Sequence, residues 1–343
     1  MPGRSPVPAD WPSLPDEQLL DLRLCDLPLT IDGSALAGRI DQLRAELAGR
    51  DLRVGVHFYL ADEWFTPDGI AAVAIPFYLA HPRLEKLEEA QMLEVEGGEH
   101  EWCMRILRHE TGHAVDNAYR LRLRRQRRAI FGSPSVEYPE TYTPRPYSKS
   151  FVQHLDRWYA QSHPDEDFAE TFAVWLTPNN QWQARYAGWP AAKKLEYVET
   201  LMASLKGRTP PVQNTTEVDP LRRIRTTLRQ HYRRKRRHYG VEPAGMHDRE
   251  LRRLFSDAPD ASGNITAAQF IARMRRPVRR AVAQWTGIYQ YTIDQVIEDM
   301  IARCQHLKLR LALPEEQARQ EFTVLLTVQV MNHMHSGGHR LVL

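Results

Sequence analysis

Residues 108–116 read Arg108-His109-Glu110-Thr111-Gly112-His113-Ala114-Val115-Asp116 and contain the spacing His-Glu-x-x-His at His109, Glu110 and His113. On an α-helix, residues i and i+4 lie about 40° apart around the axis and about 6 Å apart along it. Both imidazoles can therefore reach one zinc ion at bond lengths of about 2.0–2.1 Å. Glu110 sits beside them, where a carboxylate can poise a water as general base. Trp102, Ile106, Leu107, Ala114 and Ala118 recur at helical spacing around the motif, so the helix is expected to be packed on its other faces. Gly112 costs about 1 kcal/mol relative to Ala in a helix interior. That cost makes sense if something approaches closely there, such as a neighbouring helix.

Two histidines do not close a zinc site, so a third ligand must come from elsewhere. A histidine six residues past His113 would supply it in one class of site, but position 119 is Tyr and position 116 is Asp. The alternative is a carboxylate on a second helix. Residues 159–175 begin Tyr159-Ala160-Gln161-Ser162-His163-Pro164-Asp165-Glu166-Asp167-Phe168-Ala169-Glu170 and are expected to be helical from about Pro164 to Leu176, with Ser162 as cap and Pro178 as stop. Glu166 and Glu170 are i and i+4 on one face of a helix otherwise rich in aromatics, where a buried acid needs a partner. Asp165 and Asp167 are expected to be a solvated first turn favoured by the helix dipole.

The pair HETGHAVD and EDFAETF resembles the gluzincin metallopeptidases, most closely the catalytic domain of anthrax lethal factor and the bacterial "putative zinc-binding metallopeptidases". The resemblance covers about 105–120 and 159–176. It implies that His109 and His113 are the imidazole ligands of Zn2+, Glu166 the third ligand, Glu110 the general base, and Glu170 a carboxylate that orients a ligand histidine. It also implies that Tyr159, seven residues before Glu166, donates to the oxyanion. Tyr138, Tyr142, Tyr147 and His154 are the other candidates for that role. The activity implied is hydrolysis of a peptide bond in a peptide or protein substrate, as an endo- or aminopeptidase. An antiparallel edge strand would hold the substrate, and the stretch 70–79 could serve. One alternative is a non-catalytic binding module that keeps the zinc fold.

The fold expected is α+β. A zincin-like domain at 1–205, with a small mixed sheet and active-site helices, precedes a linker at 206–218 and an all-helical domain at 219–343. Ser34–Ala48 reads as an amphipathic helix, 52–60 and 70–79 as strands, and 151–159 as a short helix. Pro76 suggests that its strand lies at an edge. A helix from about Glu99 runs into an arginine-rich stretch ending before Gly132. In the C-terminal part, 220–239, 247–255, 266–274, 278–303 and 314–333 fit helical periods.

Composition sets the outer limits. With 42% hydrophobic and 26% charged residues, the chain is not wholly disordered. No apolar run is long enough to span a membrane. Three cysteines without metal-type spacing, and a Pro-rich start without a hydrophobic signal core, fit a reducing cytoplasm. The net charge of +3 hides an asymmetry: residues 206–343 hold 24 Lys/Arg against 13 Asp/Glu, and residues 1–205 hold 22 against 30. Basic clusters at 120–128, 222–237 and 273–280 could bind nucleic acid or an acidic partner and recruit a peptidase to it, although no nucleic-acid-binding signature accompanies them.

Overall fold

A computed structural model describes residues 8–139, 142–240 and 248–335. The chain divides into two compact units. One runs to Gln91 and continues from Val95 to Tyr232; the other holds Met92–Glu94 and the residues from Arg233 on. Helices dominate and two small sheets complete an α+β architecture.

In the first unit, α1 (Ala35–Gly49) starts where the Ser34 hydroxyl accepts from the Leu36 amide at 3.2 Å, and it buries Leu36, Ile40, Leu43 and Leu47 along one stripe. The strands β1 (His57–Ala61) and β2 (Ala72–Pro76) pair in parallel, with Tyr59 opposite Ala74. The connection between them crosses to the far side of β2, where Phe65 pairs antiparallel with Ala74 and its carbonyl accepts from the Ala74 amide at 2.9 Å. The sheet is therefore mixed, and β2 is its middle line rather than an edge. All five of its residues are buried. Pro76 misled the edge assignment because it ends the strand opposite Ala61, where no further ladder bond is needed.

Four helices follow: α2 (Pro82–Met92), α3 (His100–Tyr119), α4 (Arg125–Phe131) and α5 (Pro164–Leu176). The expected long helix into the arginines is broken at Arg120, whose φ of 53° ends α3. Residues 151–159 are not an α-helix, for only a 3-10 turn at Asp156–Gln161 forms there. The cap of α5 is His163 rather than Ser162: its Nδ1 accepts from the Asp165 amide at 3.1 Å, and Pro164 takes the first helical position. The helix α6 (Ala192–Leu205) packs on α5. Residues 206–218 are not a free linker. The Val212 amide donates to the Ala118 carbonyl at 3.1 Å and the Ala71 amide to the Asn214 carbonyl at 3.0 Å, so this extended stretch is fastened to the first unit. Its polar composition does not report such backbone bonds. The division falls instead inside α7 (Leu228–Tyr239), between Tyr232 and Arg233.

The second unit contains α8 (Asp248–Leu254), α9 (Ala267–Thr286), α10 (Gln290–His306) and α11 (Glu315–His335), packed around Phe270, Ile271, Val282, Ile293, Ile297, Met300, Phe322 and Leu326. Thr266 and Gln269 form a capping box at the start of α9. The expected break between 274 and 278 is absent, and α9 runs through Pro277 to a left-handed Gly287. The unit is not wholly helical, since β3 (Phe255–Ser256) pairs antiparallel with β4 (Arg310–Leu311). Part of its basic charge is spent internally: Asp294 accepts from Arg275 Nε at 2.6 Å and from Arg279 Nη1 at 2.8 Å. Among the described residues no helix is long and apolar enough to cross a membrane.

Candidate metal centre

The site forms where α3 crosses α5. A Cβ placed on Gly112 would lie 2.9 Å from the Ala169 Cα and 3.1 Å from the Ala169 carbonyl oxygen, so the two helices touch backbone to backbone at this point. His109, Gly112 and His113 lie on one face of α3, and Glu166, Ala169 and Glu170 on one face of α5. The small residues meet at the crossing, and the functional pairs flank it. This is the close helix approach that the cost of Gly112 had suggested.

His109 Nε2 lies 3.0 Å from Glu166 Oε2, His113 Nε2 lies 3.1 Å from the same oxygen, and the two Nε2 atoms are 3.2 Å apart. All three residues have little exposure at these side chains. Tetrahedral bonds of about 2.0–2.1 Å require ligand atoms about 3.3–3.4 Å apart. The observed triangle is within a few tenths of an ångström of that, so the residues fit a zinc-sized ion. Among the described residues these three are the His/Cys/Asp/Glu group that could hold a metal.

Glu170 Oε1 accepts from His109 Nδ1 at 2.9 Å, which holds a proton there and turns Nε2 toward the triangle. Its other oxygen accepts from the Leu155 amide at 2.9 Å, so the same carboxylate anchors the segment leading to Tyr159. Burial alone would lower the His109 and His113 pKa values, but the facing carboxylates outweigh it and hold His109 well above the usual imidazole range and His113 above it. Burial pushes Glu166 up, and the two imidazoles more than reverse this, holding it well below the usual range. Glu170 is lowered in the same way, chiefly by its hydrogen bond to His109. The cluster thus calls for positive charge at the point where its three ligand atoms converge.

Glu110 is nearly buried beside this triangle, and the Thr66 hydroxyl lies 2.8 Å from its Oε2 and 3.0 Å from its carbonyl oxygen. Thr66 was not singled out in the sequence. It follows Phe65 on the sheet margin, and Asn117 Nδ2 of α3 holds the same loop by donating to the Pro67 and Ile70 carbonyls at 3.0 Å. No periodicity or motif marks it.

Tyr159 packs on the site, its ring centroid 5.5 Å from that of His109. Burial and the charges of Glu166 and Glu110 push its phenol well above the usual value, so it stays a donor. Two consecutive left-handed residues, Arg157 (φ 60°) and Trp158 (φ 53°), turn the chain just before it. Such a conformation costs about 1–3 kcal/mol per non-glycine residue, and it explains why helical periodicity failed at 151–159. The Tyr142 hydroxyl donates to the Arg157 carbonyl at 2.9 Å and supports this turn. His154 Nε2 lies 2.9 Å from the Arg105 carbonyl, and burial lowers its pKa to about 4, so it is a neutral donor to the α3 backbone. Tyr147 is 80% exposed and packs against Trp158. Of the other tyrosines, only Tyr138 reaches the triangle, its hydroxyl donating to Glu166 Oε1 at 3.0 Å.

Asp165 and Asp167 are not a solvated first turn. Both are buried. Asp165 and Asp116 accept from Arg127 Nη2 at 2.5 and 2.8 Å, and Asp167 accepts from Lys194 Nζ at 2.7 Å. The arginine run at 120–128 is thus partly internal, since Arg127 is fully buried.

Residues 103–201 match the model of a family described as "Putative zinc-binding metallo-peptidase". That segment holds His109, Glu110, His113, Tyr138, Tyr159, Glu166 and Glu170. No curated protein and no solved structure matches the chain.

Proposed function

We propose that the chain is a zinc-dependent peptidase of the gluzincin kind, with a zincin-like catalytic domain in its first unit. The observation that carries this reading is the triangle of His109 Nε2, His113 Nε2 and Glu166 Oε2, with sides of 3.0–3.2 Å. These residues would hold the ion. When bound, zinc supplies Lewis acidity and lowers the pKa of a coordinated water to near 7.

The chain's own residues supply the rest. Glu170 keeps the His109 proton on Nδ1. Glu110, with one oxygen held by Thr66, uses the other to accept a proton from the attacking water and returns it to the leaving amine. Tyr159, kept protonated by its surroundings, donates to the oxyanion of the tetrahedral intermediate. The sheet margin at 62–66 adjoins Glu110, so an extended peptide would lie along it rather than along 70–79. Holding Glu110 in place with Thr66 favours an enzyme over a non-catalytic module that keeps the zinc fold.

Elemental analysis of protein purified without a histidine tag is expected to find one zinc per chain, lost in His113→Ala. Glu110→Gln is expected to keep the metal and lose peptide cleavage in a peptide-library assay. Zinc-free wild-type protein whose metal content does not differ from that of His113→Ala, or full cleavage by Glu110→Gln, would refute the reading.

A further inference from the structure

Glu166 uses its two oxygens differently. Oε2 faces both imidazoles, and Oε1 accepts from the Tyr138 hydroxyl. Tyr138 lies 28 residues upstream, on a stretch outside any helix or strand. What brings it to α5 is the cap of that helix. His163 Nδ1 accepts from the Asp165 amide, so its Nε2 carries the proton and donates to the Val136 carbonyl at 2.9 Å. The His163 ring also stacks on the Tyr138 ring, centroids 3.7 Å apart and planes 16° from parallel. One side chain, three residues before Glu166, thus starts α5, fastens the chain to it at Val136, and stacks on the tyrosine that reaches that acid. Burial and the nearby charges of Glu166 and Asp165 keep the phenol protonated.

A carboxylate with a free second oxygen can swing to bind a metal through both. A catalytic zinc site needs its fourth position open, and a second oxygen from Glu166 would crowd it. We infer that Tyr138 is a positioning residue that keeps Glu166 a one-oxygen ligand, by occupying Oε1 so that only Oε2 is offered to the ion. This rests on the zinc reading above. The role differs from that of Glu170: Glu170 orients an imidazole, and Tyr138 sets the denticity of the acid.

The test uses the full chain and the metal alone. Tyr138→Phe keeps the ring and its stack on His163 and removes only the hydroxyl. Zinc affinity, measured by competition with a chromophoric chelator, is expected to fall about 10–100-fold, as for other outer partners of a ligand. The visible spectrum of the cobalt(II)-loaded variant is expected to weaken toward that of a higher coordination number, while wild type shows the intense bands of a four-coordinate ion. Glu170→Gln is the control, expected to lose affinity with its cobalt bands still of four-coordinate intensity. If Tyr138→Phe matches wild type in both affinity and spectrum, or loses affinity with an unchanged spectrum, the inference is overturned. A wild-type chain that takes up neither ion overturns the zinc reading and this inference with it.

Discussion

The helix α5 carries four acids within six residues, all buried, and uses them in two opposite ways. On one side Glu166 and Glu170 face imidazoles, which can give up a proton and accept a metal. The other two, Asp165 and Asp167, lie about 200° apart around the axis, flanking that pair, and face Arg127 and Lys194, which cannot bind a metal. The partner decides the job. An acid against Arg or Lys is a fastener, because the protonated nitrogen donates to the acid and offers no lone pair to a metal. An acid against an imidazole can exchange the shared proton for a metal ion, because the ring nitrogen that gives up its proton becomes a ligand. Asp165 ties α5 through Arg127 to Asp116 of α3, so the fastening pair holds together the same two helices whose crossing builds the metal site.

Breaking the fasteners should have the largest effect. Arg127→Met leaves Asp116 and Asp165 buried without their shared cation, a change that costs about 3–5 kcal/mol. Urea unfolding of the metal-free protein measures it, and a variant as stable as wild type would show that the internal arginine is not the fastener. Glu170→Gln turns its amide NH2 onto one of two buried donors, so it should cost less metal-free stability, about 1–3 kcal/mol, and weaken zinc affinity about 10–100-fold. Equal losses of stability and affinity in both variants would erase the distinction between the pairs. Gly112→Ala probes the helix crossing. Helix propensity alone predicts a gain of about 1 kcal/mol. Contact with the Ala169 backbone at 2.9 Å predicts a loss of about 1–3 kcal/mol, with weaker metal binding as the helices part. The sign of the change decides.

The metal pair was legible in the sequence because its information is local. His109/His113 and Glu166/Glu170 are each i and i+4, and a helix turns that spacing into a shared face without knowledge of the rest of the fold. Gly112 told of the crossing for the same reason. The fastening pair was misread because the rule applied to it, that acids favour an exposed first turn, holds only where the turn is exposed. Its partner lay in an arginine run that composition marks as solvated. Thr66 and Tyr138 were illegible as partners of Glu110 and Glu166 because they sit on stretches without periodicity. Only tertiary folding, through Asn117 and His163, carries them in. Likewise β2 read as an edge because the strand-like residue that covers it, Phe65, is a single bridge rather than a strand.

The smallest expected effect lies within the fastening pair itself. Arg127 meets two carboxylates, but among the described residues Asp167 pairs with Lys194 alone and its Oδ1 has no hydrogen-bond partner. Burial therefore prevails over the lysine and holds the Asp167 carboxyl up at about 7. The unfolded chain releases this proton near pH 4. Between those values the folded chain binds a proton that the unfolded chain does not, so the contribution of Asp167 to stability is full below about pH 4 and is lost as pH rises through about 7. Asp167→Asn cannot titrate. The stability of wild type relative to Asp167→Asn should fall by about 1 kcal/mol between pH 6 and 7 and level off above. Urea melts of both metal-free proteins across this range measure it. A difference that stays constant would mean that Lys194 matches Asp167 as fully as Arg127 matches Asp165, and that α5 has one kind of fastener rather than two.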